Sequence, residues 1–101
     1  MQKKLPTYTL ERIKKAFDDA DKLRMTLSAR KTINDLEFSD DEVVDIIQAL
    51  SLDDFYKSMP PRHESFTAWQ DVYKPRYRKI DLYIKFQINL AGELIVSFKK
   101  K

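Results

Sequence analysis

Hydrophobic positions along this chain change period once, from a helical repeat before residue 54 to strict alternation after residue 55. In the first half, Leu10, Ile13, Ala16, Phe17 and Ala20 recur at helical spacing behind Thr9, a side chain suited to an N-cap. The spacing predicts a first helix from about Thr9 to Ala20. Ala29, Ile33 and Leu36 fall at i, i+4 and i+7 and predict a second, from about Ser28 to Leu36. Ser39 and Glu42 form a capping box ahead of Val43, Ile46, Ile47 and Leu50, the best start signal in the chain. The short Lys22 to Thr26 segment is read as a strand between the first two helices.

From Phe55 onward the pattern is that of half-buried strands. Ile80, Leu82, Ile84, Phe86 and Ile88 alternate with Asp81, Tyr83, Lys85 and Gln87, and Leu94, Val96 and Phe98 alternate with Ile95, Ser97 and Lys99. Asn89 to Glu93, containing Gly92, joins the two runs as an antiparallel hairpin. Thr67 to Tyr73 is a further strand closed by Lys74 and Pro75, and Phe55 to Met59 another, ended by Pro60 and Pro61. The fold class is α+β, a single domain over residues 1–101 with a helical part of about 1–54 and a sheet part of about 55–101. Its helices are expected on one face of an antiparallel sheet.

The hairpin supports a geometric inference. Both apolar sets share a face only if even positions pair with even, because a slip of one residue moves every side chain across the sheet. Pairing Ile88 with Leu94 sets Tyr83 opposite Lys99; a shift of two residues sets Lys99 opposite Lys85 or Asp81 instead. Tyr83, Lys85, Ser97 and Lys99 cluster on the polar face in all three registers.

An ordinary solvated sheet face is the plain reading of that cluster, and the charge distribution sets a second reading beside it. Residues 55–101 hold ten Lys and Arg against four Asp and Glu, while residues 1–54 hold nine against twelve. A basic half of this kind attracts polyanions, since each neutralised phosphate releases condensed counterions. With no Cys and a single His, His63, disulfides are excluded and a His/Cys zinc site is not expected. Cysteine hydrolases and His-His acid/base pairs fall away, leaving Lys, Tyr, Arg, Glu and Asp for any catalysis. No apolar run approaches the ~20 residues of a membrane span and the first residues lack a signal-peptide core, so a cytoplasmic protein is expected.

Three ordered strings sharpen this reading. Asp54 to Met59 reads DFYKSM, Trp69 to Arg76 reads WQDVYKPR, and Leu94 to Lys99 reads LIVSFK. Together they resemble the MqsR (motility quorum-sensing regulator) toxins, a family of messenger-RNA interferases from type II toxin–antitoxin pairs. The resemblance spans nearly the whole chain and is densest after Ser51. It implies a RelE-like fold and an endoribonuclease without cofactor that cuts messenger RNA at GCU-type triplets. It also implies an MqsA-like antitoxin partner, with a zinc-binding domain and a DNA-binding helix-turn-helix domain. Carried over by position, the family's catalytic set corresponds to Lys57, Gln70, Tyr83 and Lys99. The Pro60 to Phe66 loop and the Leu90 to Glu93 turn each depart from the family pattern.

The residue types fit such a reaction. RNA is cleaved without metal when its own 2′-hydroxyl attacks the adjacent phosphorus, and the enzyme then supplies a base, an acid and positive charge. Tyr83 is a proton-transfer group, and Lys57 and Lys99 are phosphate stabilisers, either being available as base. Gln70, with no titratable proton, positions substrate. Tyr73, Arg76, Tyr77 and Lys85 are candidate RNA contacts, because aromatic and guanidinium planes stack on unpaired bases. Plainer readings stand beside these. Trp69 suits a core position better than a stacking one, His63 an exposed loop, and the strand Phe55 to Met59 leaves the face of Lys57 ambiguous. The alternative function is a non-catalytic basic module that binds RNA or DNA through charge alone.

Overall fold

The computed structural model describes residues 2–61 and 68–100. Helix α1, Leu10–Ala16, opens at Thr9, whose hydroxyl accepts the Arg12 N–H. It closes at Phe17, short of the predicted Ala20. The Asp19 side chain accepts the Asp21 N–H at 2.9 Å and starts a separate 3-10 turn, Ala20–Lys22. Short acidic side chains that bond their own backbone compete with helix in this way. Helix α2, Leu27–Asp35, starts at Thr26, and α3, Asp40–Gln48, starts with both arms of the capping box formed. The Ser39 hydroxyl accepts the Glu42 N–H at 3.1 Å and the Glu42 carboxylate accepts the Ser39 N–H at 3.0 Å.

Five strands follow among the described residues: β1, Phe55–Met59; β2, Gln70–Tyr73; β3, Arg76–Tyr77; β4, Ile80–Ile88; and β5, Leu94–Lys100. All pairings are antiparallel: β1 with β2, β2 and β3 with successive stretches of β4, and β4 with β5. In the hairpin Ile88 faces Leu94 and Tyr83 faces Lys99, the first of the three registers that parity allowed. Its loop is held by the Asn89 side chain, which accepts the N–H groups of Ala91 and Glu93, with Gly92 at φ 81°. Strand β3 has no counterpart in the sequence reading. Its turn is Arg78–Lys79, both at positive φ (49° and 66°), where the usual signal is Asn-Gly.

The strand expected at Lys22 to Thr26 reduces to one parallel bridge, Met25 with Val96. Thr26 is already the N-cap of α2, so the ladder has no room to lengthen. That bridge covers the outer edge of β5, and a second, Lys3 with Ser58, covers the outer edge of β1. Edges closed in this manner are poor templates for pairing with another chain. The strand expected at Thr67 to Tyr73 is present as Gln70–Tyr73. Thr67 lies outside the described residues, as does His63.

The helices supply Ile13, Phe17, Ala29, Ile33, Val43 and Ile47 to a core whose floor is Tyr73, Leu82, Ile84, Phe86, Val96 and Phe98, all fully buried. Gln48 joins α3 to the end of α1 by donating to the carbonyls of Lys14 (2.7 Å) and Phe17 (3.1 Å). On the same inward face sits a fully buried carboxylate, Asp71. It accepts from the backbone N–H of Thr7 (3.0 Å) and Tyr8 (2.8 Å) and from the Ser58 hydroxyl (2.6 Å). One charged side chain thereby ties the segment before α1 to both β1 and β2. Among the described residues no helix is long and apolar enough to cross a membrane.

Candidate active site

Because the helices occupy one face of the sheet, side chains of opposite parity share the other. Tyr83 and Lys99 form one cross-strand pair there. The next row crosses four strands as Lys57, Val72, Lys85 and Ser97. A third sets Met59 beside Gln70 and Gln87 beside Ile95, with the Gln70 amide donating to that of Gln87 at 2.9 Å. Successive rows lie ~7 Å apart and neighbouring strands ~5 Å. Lys57, Gln70, Tyr83 and Lys99 therefore share one patch. Val72, flanked by Lys57 and Lys85, is fully buried although it belongs to this outer face. Alkyl stems of long amphipathic neighbours cover an apolar residue in this way.

The position of Lys57 depends on an irregularity. Phe55 pairs with Tyr73 and Lys57 with Val72, so Tyr56 is an extra residue bulged out of the ladder. Without it, Phe55 and Lys57 would share a face. With it, Phe55 turns inward, its ring 5.4 Å from that of Tyr73, and Lys57 turns outward. The face that parity left ambiguous is resolved by a β-bulge, a device that re-aims side chains in strands.

The bulged Tyr56 is the centre of a cation cluster. The ammonium of Lys74 lies 3.5 Å from its ring centroid, that of Lys57 5.1 Å and that of Lys4 5.8 Å. Lys74 also lies 5.9 Å from the ring of Tyr83 and so bridges the two phenols. An aromatic face attracts each ammonium, but the ammonium groups repel one another. Such a cluster favours an anion that enters and offsets the repulsion.

The candidate RNA contacts divide. Lys85 stands in the central row of the outer face. Tyr77 packs edge-on against Phe38 at 5.5 Å, and its hydroxyl donates to Glu42 of α3 at 3.4 Å. Arg76 is exposed on β3, its Nε 3.8 Å from Asp81. Tyr73 lies in the core, fully buried between Phe55 and Phe86, and its ring is not presented to a ligand. No described residue hydrogen-bonds its hydroxyl. Trp69 is partly exposed, with the Lys3 ammonium 4.5 Å from its ring.

Burial, followed by the charges of Asp71 and Asp54, pushes the Tyr73 phenol up to about 12 from its ordinary 10. A raised pKa in the fold means full stability below the unfolded value, lost as pH rises through the folded one. Unfolding free energy is therefore expected to fall between about pH 10 and pH 12. The measurement is a urea midpoint across that range with phenolate absorbance, and Tyr73→Phe should flatten the decline.

Among the described residues no group of three or more His, Cys, Asp or Glu side chains converges as a metal-ligand set. The groups that do converge are amines, phenols and amides. The family model described as motility quorum-sensing regulator, toxin of MqsA, matches residues 5–100. The chain belongs to the MqsR toxin family. A relative from Escherichia coli (strain K12), an mRNA interferase toxin MqsR, is 39% identical over 101 residues, which is 100% of both chains.

Two residues of this MqsR-family face escape a reading of the sequence. Tyr56 is hidden because a bulge leaves no mark on a strand this short. Lys74 follows the last residue of β2, next to Pro75, and reads as punctuation. Its signal was available all the same: alternation from Gln70 through Val72 carries on to position 74.

Proposed function

We propose that this MqsR-family toxin is a metal-independent endoribonuclease that cuts messenger RNA at GCU-type sites by attack of the RNA's own 2′-hydroxyl. The observation that carries the reading is the outer sheet face, where Tyr83 is paired with Lys99 and Lys74 spans the Tyr56 and Tyr83 rings. A base takes the 2′-hydroxyl proton, the oxygen attacks phosphorus, and the P–O5′ bond breaks. An acid returns a proton to O5′, leaving a 2′,3′-cyclic phosphate and a 5′-hydroxyl. Tyr83 transfers a proton, while Lys57, Lys99 and Lys74 stabilise charge developing on the phosphoryl oxygens, commonly the largest contribution. Gln70 positions the substrate, and Arg76 and Lys85 offer contacts to the flanking strand, whereas Tyr77 is committed to Phe38 and Glu42 on the helix side of the sheet.

The partner on this reading is an MqsA-like antitoxin with a zinc-binding domain that grips the toxin and a helix-turn-helix that binds DNA. The pair would work in the cytoplasm. Incubation of the pure protein with GCU-containing RNA in EDTA is expected to yield fragments ending in 2′,3′-cyclic phosphate. Intact RNA under those conditions would rule the reading out, and RNA binding without cleavage would favour the non-catalytic basic module.

A further inference from the structure

Beyond the catalytic row, the outer face ends in a cleft of about 190 Å³ where β4 and β5 meet the start of α2, lined by Gln70, Lys85, Gln87, Ile95, Ser97 and Thr26 among others. We propose that this cleft is a nucleobase-recognition subsite in which Gln87, held by Gln70, reads the edge of an unpaired base close to the scissile phosphate. The inference rests on the ribonuclease reading of the same face and extends it to base selection.

Size is the first argument. Drug-sized ligands occupy pockets of ~300–1,000 Å³, and a smaller opening suits one planar base. The donor set is the second. The Gln70–Gln87 bond uses one donor of one amide and one acceptor of the other. Among the described residues Gln70 is the partner of the Gln87 amide, and that one bond leaves Gln87 an amino hydrogen and a carbonyl lone pair whichever way round the two amides sit. A donor and acceptor fixed side by side match the complementary pair that each base presents along its edge, and unpaired bases in RNA are read there. Around this pair Ile95 offers an apolar side chain for the base face. The Ser97 and Thr26 hydroxyls, 3.5 Å apart, offer adaptable polar contacts at the rim.

Location is the third argument. The row of Gln87 and Ile95 lies two rows from that of Tyr83 and Lys99, with Lys85 and Ser97 between, a separation of ~14 Å along the strands. About two extended nucleotides bridge such a gap, so a phosphate at Tyr83 delivers a nearby base of the same strand to the amides. The amide pair also accounts for Gln70 as a positioning residue, since it holds Gln87.

The test separates recognition from chemistry. A panel of single-stranded 2′-deoxy oligonucleotides, uncleavable for want of the 2′-hydroxyl and differing at one base, is titrated against wild type, Gln87→Leu and Gln87→Glu. A bidentate amide contact discriminates among bases by roughly 5- to 150-fold. Wild type is expected to show at least about tenfold preference at one position. Gln87→Leu should flatten it to within about twofold, and Gln87→Glu, which keeps the shape but loses the amino donor, should change which base is preferred. The same substitutions should alter the base preferences close to the cut when a random-sequence RNA is digested and its 5′-hydroxyl ends are sequenced. An unchanged base profile in both folded variants, or no base preference in wild type, would overturn the subsite. Base-dependent binding that Gln87 controls, with no RNA cleavage by wild type, would overturn the ribonuclease reading alone.

Discussion

Lys57→Met and Tyr83→Phe are each expected to slow RNA cleavage by about 10²–10³-fold while leaving the thermal midpoint nearly unchanged. Methionine preserves an alkyl stem beside the buried Val72 but removes the ammonium. Phenylalanine preserves the ring facing Lys99 and near Lys74 but removes the transferable proton. The loss then reports chemistry and not packing. Because these groups serve one transition state, the double variant should fall far less than the product of the two single effects. Single-turnover cleavage of a labelled RNA, with circular dichroism melting as control, makes the comparison. Cleavage at the wild-type rate in both variants would leave the face as a binding surface and remove the proposed mechanism.

Asp71→Ala is expected to cost about 3–5 kcal/mol of stability, the largest effect of any single substitution proposed for this chain. The carboxylate is fully buried and accepts three hydrogen bonds, two of them from backbone N–H groups that cannot be substituted away. Truncation strands the buried Tyr8 N–H and removes a partner from the more exposed Thr7 N–H and from the Ser58 hydroxyl, and each unpaired buried group costs about 1–3 kcal/mol. Domains of this size have about 5–15 kcal/mol in total, so the variant approaches the edge of folding. Urea denaturation measures it, and a loss below about 1 kcal/mol would show that the donors find other partners. Asp71→Asn offers only one carbonyl oxygen to three donors and should retain part of the loss. Since Ser58 follows Lys57 directly, the same contact holds the bulged strand in place, and cleavage should weaken in the Asn variant even where it is folded.

Much of this fold was legible because its signals are local. The Ser39 and Glu42 box formed as read, with helix α3 behind it. Parity confined the hairpin to three registers, since only one face of β4 and β5 is apolar, and the fold adopts the one that pairs Tyr83 with Lys99. Where the reading failed, a non-local or unsigned feature had decided. Helix α1 ended early because Asp19 bonded its own backbone, and the Lys22 to Thr26 strand shrank to one bridge because Thr26 was needed as a cap. Tyr73 sits in the core although it follows Val72 in an aromatic, basic string that suggested RNA contact.

The sequence alone determined that Tyr83, Lys85, Ser97 and Lys99 share a polar face, because strand side chains alternate with period two and a hairpin confines their register. It also carried the family, through strings that are contiguous in the chain. Only the tertiary structure decided that Lys57 joins that face, since one bulged residue at Tyr56 reverses the parity of everything after it and no composition signal marks the bulge. Only the tertiary structure brought Lys74 over the Tyr56 ring and Gln87 against Gln70, because side chains from separate strands meet through cross-strand pairing and not through spacing along the chain.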